Sequence, residues 1–359
     1  LVIGGGDAFG VPGSGYVIDT EELRSQNYYN VHSILNRIPG VYYREEDGYG
    51  NFPNISIRGG EGTRSDNVTV MEDGILTAPA AYSAPSAYYS PNAARMGGIE
   101  VLKGSSQIAH GPHTTGGVVN YLSTQFPTDH SFYLRSTYGS NSAFDIHGYW
   151  SDTSEGDFGN VGLLTEIYYR QTDGYRTIDA GNGYGGSVKT GFDLMEPMIK
   201  LYWEPNSDVY QRWEFKYGYT EFDADETYAG LTESDIASNP YRRYAGTFLD
   251  NIQTEHTRTY LKYLVEPADN LTLQVAAYYN EFERDWYKIN KAGGQSVSKV
   301  VADPITYAAA FDDLRLLGTG SLGIKHNSRA YESKGVQFNF DYDTTIAGTE
   351  HNFTGGARF

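Results

Sequence analysis

Residues 335–343 read GVQFNFDYD. Successive side chains of an extended chain point to opposite sides, so Val336, Phe338, Phe340 and Tyr342 share one face and Gln337, Asn339, Asp341 and Asp343 the other. Working outward, the same alternation returns in DNLTLQVAAYYNEFERDW (269–286), where Leu271, Leu273, Val275, Ala277 and Tyr279 oppose Thr272, Gln274, Tyr278 and Asn280. It returns again in QRWEFKYGYT (211–220), with Trp213, Phe215, Tyr217 and Tyr219 against Arg212, Glu214, Lys216 and Thr220. From about Thr128 onward the pattern predicts about nine strands, near 131–139, 142–151, 157–171, 193–204, 208–222, 254–266, 269–287, 331–344 and 350–359. Their connections alternate between short polar turns and long excursions at 223–253 and 288–330.

Two architectures fit alternating strands. Sandwich strands usually run about 5 to 6 residues, whereas many segments here exceed ten, near the ~9–11 residues with which a tilted strand crosses a bilayer. Tyr, Trp and Phe gather towards the strand ends, as interfacial girdles require, and the opposite faces are polar enough for a wet lumen. A closed barrel satisfies its backbone in lipid without a long apolar run. That reconciles a membrane location with a mean hydropathy of −0.50. The pattern therefore favours a transmembrane antiparallel barrel over a sandwich.

Composition removes several function classes. The 359 residues contain no Cys, which excludes disulfides, thiolate metal sites and a Cys nucleophile. A net charge of −18 without a basic stripe makes nucleic acid an unsuitable partner. The eight His are scattered, and no nucleophile elbow or paired-carboxylate pattern points to an enzyme. The chain opens in mid-pattern at LVIGGGDAFG (1–10), with neither the basic nor the apolar region of a signal peptide, and is expected to be mature or truncated.

Residues 1–127 have a different grammar, expected to be a separate α+β domain. Asp19 and Glu22 predict a capping box over TEELRSQN (20–27). Asn30 caps a second predicted helix with Val31, Ile34, Leu35 and Ile38 on one face, stopped by Pro39-Gly40. A third is expected at 92–96, with Ser90 as N-cap and Pro91 following it. Strands are expected at 55–58, 67–71 and 99–103.

Five motifs then follow in one order: LNRIPGV (35–41), NISIRGG (54–60), MEDGI (71–75), IEVLKGSSQIAHG (99–111) and TGGVVNYLST (115–124). Together they resemble the plug domain of TonB-dependent outer-membrane receptors. APAAYSAPSAYYSP (78–91), ETYAGLTESDIASNPYRRYAGTFLD (226–250) and EFERDWYKIN (281–290) are similar to the ferric-dicitrate receptor branch. The resemblance implies a plug (1–127) inside a barrel (128–359) of 22 strands, against about nine here, so an incompletely covered barrel is expected. It implies active uptake of a ferric chelate, ferric citrate or a siderophore, across the bacterial outer membrane. Other cargoes (haem, cobalamin, oligosaccharide) and a non-transporting surface receptor stay open. The implied partners are the TonB-ExbB-ExbD complex, acting through a segment before Leu1, the chelate, and outer-membrane lipid and lipopolysaccharide. No cofactor is implied, since iron travels only within the chelate.

The resemblance also places candidate ligand contacts. Arg64, in the loop GGEGTRSD (59–66), faces outside and either binds an anionic ligand or pairs with Asp66 or Glu61. Tyr82, Tyr88 and Tyr89 either stack on a chelate or pack on the barrel wall. Arg242 and Arg243 either attract an anion or a lipopolysaccharide phosphate, or organise their loop. GGEGTRSD fits neither nucleotide-loop spacing. His110 and His113 flank a Gly-Pro turn with no third ligand nearby, so they are read as turn and packing residues, not a metal site. The glycines at 104, 111, 116 and 117 are expected to permit tight turns and close approach.

Overall fold

The computed structural model describes residues 13–359 except 29, 61–63, 78–88, 112–114 and 188. Seven short strands build the first part: β1 (Ser14–Ile18), β2 (Val41–Glu45), β3 (Pro53–Ile57), β4 (Val68–Glu72), β5 (Ile75–Leu76), β6 (Met96–Lys103) and β7 (Gly117–Ser123). Five of them pair in the order β1-β6-β7-β4-β5, while β2 and β3 form a separate hairpin. The parallel β4–β7 pairing joins residues 68–72 to 117–121. Its approach is close: a Cβ on Gly117 would lie 2.7 Å from the Leu102 carbonyl oxygen, and its φ of 151° is one that side chains avoid.

Helix α1 (Thr20–Gln26) starts where Asp19 accepts the Glu22 N–H at 2.8 Å. The second expected helix is instead a 3-10 turn, Val31–Arg37, capped by Asn30, and it buries Ile34, Leu35 and Ile38 against β1, β3 and β6 residues in one apolar core. The third expectation needs correction. Only three residues, Ala93–Arg95, turn, and Asn92 rather than Ser90 caps them. The reason is β6, which begins at Met96 and pairs at once with Ser123, leaving no room for a helix.

The second part is one sheet. Its long strands are β8 (Ser131–Tyr138), β9 (Phe144–Gly156), β10 (Gly159–Thr172), then after the short β11 (Thr177–Ile178), β12 (Phe192–Glu204) and β13 (Tyr210–Ala224). Beyond helix α2 (Glu233–Ser238) and the short β14 (Arg242–Arg243) come β15 (Asn251–Ala268) and β16 (Leu271–Ala292). The short β17 (Gln295–Ser296), helices α3 (Val297–Ala302) and α4 (Ala308–Leu314), and β18 (Leu322–His326) precede β19 (Arg329–Ile346) and β20 (Thr349–Arg358). The nine long strands are neighbours in sequence order, each antiparallel to the next, and coincide with the nine expected segments.

The faces follow the alternation. Trp213, Tyr217, Val336 and Phe338 point outward and remain 37%, 43%, 46% and 37% exposed, whereas the intervening Lys216 and Gln337 are buried. Register keeps the outward set together, with Val275 opposite Phe338 and Leu273 opposite Phe340. Such an apolar outer belt fits hydrocarbon, not water. No described helix is long and apolar enough to cross a membrane. The connections 157–158, 205–209, 269–270 and 347–348 are short, and 173–191, 225–250 and 293–328 are long. The long connections therefore all lie at one end of the sheet, together with the short connection 139–143, and the other short connections lie at the opposite end. In membrane barrels the long-loop end faces outside.

Candidate functional site

At the long-loop end, alternation along β16 turns Arg284, Trp286 and Lys288 towards the plug. The Lys288 ammonium sits 4.1 Å from the Tyr228 ring centre and 4.0 Å from that of Trp286. Those two rings stack at 4.6 Å. Arg284 covers Trp286 from 5.2 Å, and Arg64 of the plug approaches Tyr228 at 5.1 Å. Lys325 on β18 lies directly opposite Lys288 in the ladder, an arrangement of like charges that destabilises a sheet. Among the described residues neither lysine has a carboxylate within 4.0 Å. Four cations and two aromatic rings thus gather at the mouth of a strongly acidic chain. Cation–π contacts orient such a cluster.

Arg64 pairs with Glu46 at 3.3 Å and, among the described residues, not with Asp66; Glu61 lies outside them. It keeps about a quarter of its side chain exposed and adopts a positive φ of 59°, so the loop presents it in a conformation non-glycine residues avoid. Tyr82 and Tyr88 fall outside the described residues. Of the two alternatives for its segment, Tyr89 adopts packing: it is 6% exposed, donates to Glu72 Oε2 at 3.0 Å and accepts from Arg95 at 2.9 Å. Its ring packs on His256 of β15 at 4.2 Å, the wall-packing alternative. Arg242 and Arg243 also prove to be loop ties. Arg242 binds Asp179 at 2.7 Å and Asp235 at 2.8 Å. Arg243, 4% exposed, donates to the carbonyls of Asp225 and Thr247. His110 offers its carbonyl to Arg358 at 3.3 Å, and His113 lies outside the described residues. Lys288, Tyr228 and Lys325 were missed by sequence reasoning. The alternation of Arg284, Trp286 and Lys288 was a usable signal for the first.

Below the mouth the plug loop 46–52 is docked on the long connections. Tyr49 is buried and takes the Tyr175 N–H on its hydroxyl at 3.2 Å, and Arg176 donates to the Asp47 carbonyl at 3.4 Å. Carboxyls concentrate here. Burial, and then the Asp47 charge, push Glu226 up to about 8 against the pull of Arg176 and Arg243. Burial raises Asp250 to about 6 and raises Asp47 as well.

Deeper still, the MEDG turn inserts Glu72 and Asp73 into the basic wall of β12, β13 and β15. Lys216 reaches both, each at 2.6 Å. Arg95 grips Glu72 at 3.1 Å and Glu196 of β12 at 3.1 Å, and Arg258 adds a third cation to Glu72 at 3.4 Å. Burial alone would raise both plug carboxyls, but Arg95, Lys216 and Arg258 hold Glu72 far below the usual range. Lys200, Lys216 and Lys262 do the same for Asp73. Removing one partner of a buried pair of this kind costs about 3–5 kcal/mol. The network therefore fastens plug to barrel.

These features define a class: a barrel sheet wrapped around a plug, ion-locked to it, with a cationic-aromatic mouth. Residues 7–118 match the TonB-dependent Receptor Plug Domain. The whole chain is similar to the ferric citrate transporter FecA in unliganded form, with a TM-score of 0.71 and 19% identity over 96% of this chain and 47% of that one. It is similar also to the open form of the ferric-catecholate import receptor Fiu from E. coli K12 (TM-score 0.65, 15% identity, 96% and 48%). The siderophore receptor PiuA from Acinetobacter baumannii matches at TM-score 0.64 and 16% identity, covering 97% and 45%. The chain spans about half the length of these structures. Residues 7–118 therefore carry a plug domain of the TonB-dependent receptor type, and the chain shares the plug-in-barrel fold of these structures.

Proposed function

We propose that this chain serves TonB-dependent uptake of an anionic ferric chelate across the bacterial outer membrane, with a ferric citrate-type complex as the leading cargo. The observation that carries the reading is the mouth cluster: Lys288 and Lys325 face each other across a ladder beside Arg64 and Arg284, over the Tyr228–Trp286 stack. A complex presenting several carboxylates would relieve that repulsion and gain charge-assisted hydrogen bonds. The chain carries a binding site and a fastened plug, which suits transport and not catalysis. TonB-ExbB-ExbD would act on the plug to loosen it, while the outward aromatic belt would contact lipid and lipopolysaccharide. Iron is cargo and not a cofactor.

The test is accumulation of iron-55 from citrate, hydroxamate and catecholate chelates in cells expressing the full-length receptor, with and without TonB. Saturable accumulation that disappears without TonB supports uptake, and preference for citrate supports the leading cargo. Binding without accumulation would make the protein a surface receptor. Accumulation of haem or cobalamin but of no ferric chelate would overturn the cargo.

A further inference from the structure

The wall of β12, β13 and β15 that receives the plug is itself strongly cationic. Lys200 and Lys216 are direct cross-strand partners, and Lys262 lies opposite Glu214, one strand over and two positions from Lys216. Like charges set opposite each other weaken a sheet. Here their compensation comes largely from the plug. Lys216 binds Glu72 and Asp73, whereas among the described residues Lys200 donates only to the Thr124 carbonyl at 2.9 Å and Lys262 to the Asp73 carbonyl at 2.8 Å. Among the described residues neither of these two lysines has a carboxylate within 4.0 Å.

Space lies along the same wall. Directly beneath Asp73 is a cavity of about 110 Å³ lined by Lys200, Lys262, Arg212, Glu214, Gln274 and Gln125, among others. At roughly 10–15 Å³ for each water, it is roomy for several. It shares Gln125, Arg212 and Glu214 with a wider space of about 510 Å³ at the short-turn end. On the mouth side of the ion network a smaller cavity, about 40 Å³, reaches down to Tyr89, Glu196 and Thr220. The register orders these levels: Thr220 and Glu196 lie towards the mouth, Lys200 and Lys216 in the middle, Lys262 and Arg212 below. The Glu72–Asp73 turn lies between the upper and lower spaces.

We propose that Lys200, Lys216 and Lys262 form an inner anion site on the barrel wall, one that the plug carboxylates occupy at rest and a polycarboxylate cargo occupies in transit. It rests on the anionic-cargo reading above. When the Glu72–Asp73 turn withdraws, Lys216 loses both of its carboxylate partners, and Glu214 opposite Lys262 is the carboxylate that stays on this stretch of wall. Carboxylates arriving from the mouth replace the two that withdraw. The plug turn is thus a stand-in for cargo, and the path runs along β12, β13 and β15 into the lower cavity. No bond is made or broken, and each carboxylate is exchanged for another.

Two measurements on the full-length receptor test this. In the first, Asp73→Asn receptor in detergent is acetylated at lysine with and without millimolar citrate, and sites are read by mass spectrometry. Citrate should slow acetylation of Lys200, Lys216 and Lys262 about tenfold while chloride at equal ionic strength does not. Equal reactivity in citrate and chloride would overturn the site. In the second, which does not depend on Asp73→Asn assembling, Lys262→Gln cells should take up the transported chelate with unchanged mouth affinity and a maximal rate lowered about tenfold or more, and Lys262→Arg should restore most of the rate. An unaltered maximal rate in Lys262→Gln would overturn the transit role. If wild-type cells accumulate no ferric chelate, the proposed function fails, and the citrate footprint still decides the inner site alone.

Discussion

Lys216→Ala probes the fastening of the plug most directly. The lysine is 2% exposed and lies 2.6 Å from both Glu72 and Asp73 and 3.2 Å from the Ser123 hydroxyl. Its loss leaves Glu72 with Arg95 and Arg258, but leaves Asp73 with only the more distant Lys200 and Lys262 and its bonds to Ser123. Breaking a buried pair costs about 3–5 kcal/mol. The surviving cations on Glu72 argue for the lower half of that range. At 1.36 kcal/mol per tenfold, opening of the plug should become about 10²- to 10³-fold more frequent. Hydrogen exchange at β4 and β7 amides in the intact receptor reads this, since both strands carry residues of the network. Lys216→Arg should lose much less, because it keeps the charge. Exchange in Lys216→Ala within about threefold of wild type would refute the reasoning, since the network would then contribute under 1 kcal/mol.

Other outcomes follow from the faces, the mouth and the loop seam. Phe338→Arg should impair barrel assembly by about 2–4 kcal/mol if its level is the bilayer midplane, while Asn339→Arg should be tolerated; heat-modifiable migration on gels reads both. Lys288→Ala and Arg64→Ala should each weaken chelate binding about ten- to a hundredfold, from charge-assisted bonds worth about 1.5–3 kcal/mol. Arg64→Lys should recover part of the loss, because the ammonium keeps the charge but not the fork, and equilibrium binding decides the point. Glu226 stands at about 8, above its ordinary 4.5, so its share of seam stability is full below about 4.5 and is lost as pH rises through about 8. Protection of amides at 46–52 and 225–228, corrected for intrinsic exchange, should fall across that window. Glu226→Gln should confine the fall to what Asp47 and Asp250 contribute, Asp250 ending near pH 6.

Strands and their faces were legible in the sequence because the two-residue alternation is a local property. GVQFNFDYD needs no partner to show which side is apolar, and all nine long strands follow from such runs. Asp19 and Asn30 likewise announced their caps, since a cap is set within three residues. Tertiary structure decided what local patterns cannot. Ser90 lost its cap because β6 begins at Met96 to pair with Ser123, a contact between distant segments. For Arg242 and Arg243 the sequence left anion attraction and loop organisation both open until the fold brought Asp179 and the Asp225 carbonyl to them. Tyr89 read as an aromatic residue near the apex, yet its hydroxyl closes a network that includes Lys216, whose partner Glu72 lies 144 residues away in the chain. Along the sequence Lys200, Lys216 and Lys262 are three polar residues on three lumen faces. Only the register of β12, β13 and β15 makes them one basic surface, because electrostatic energy depends on distance in space and not on separation along the chain.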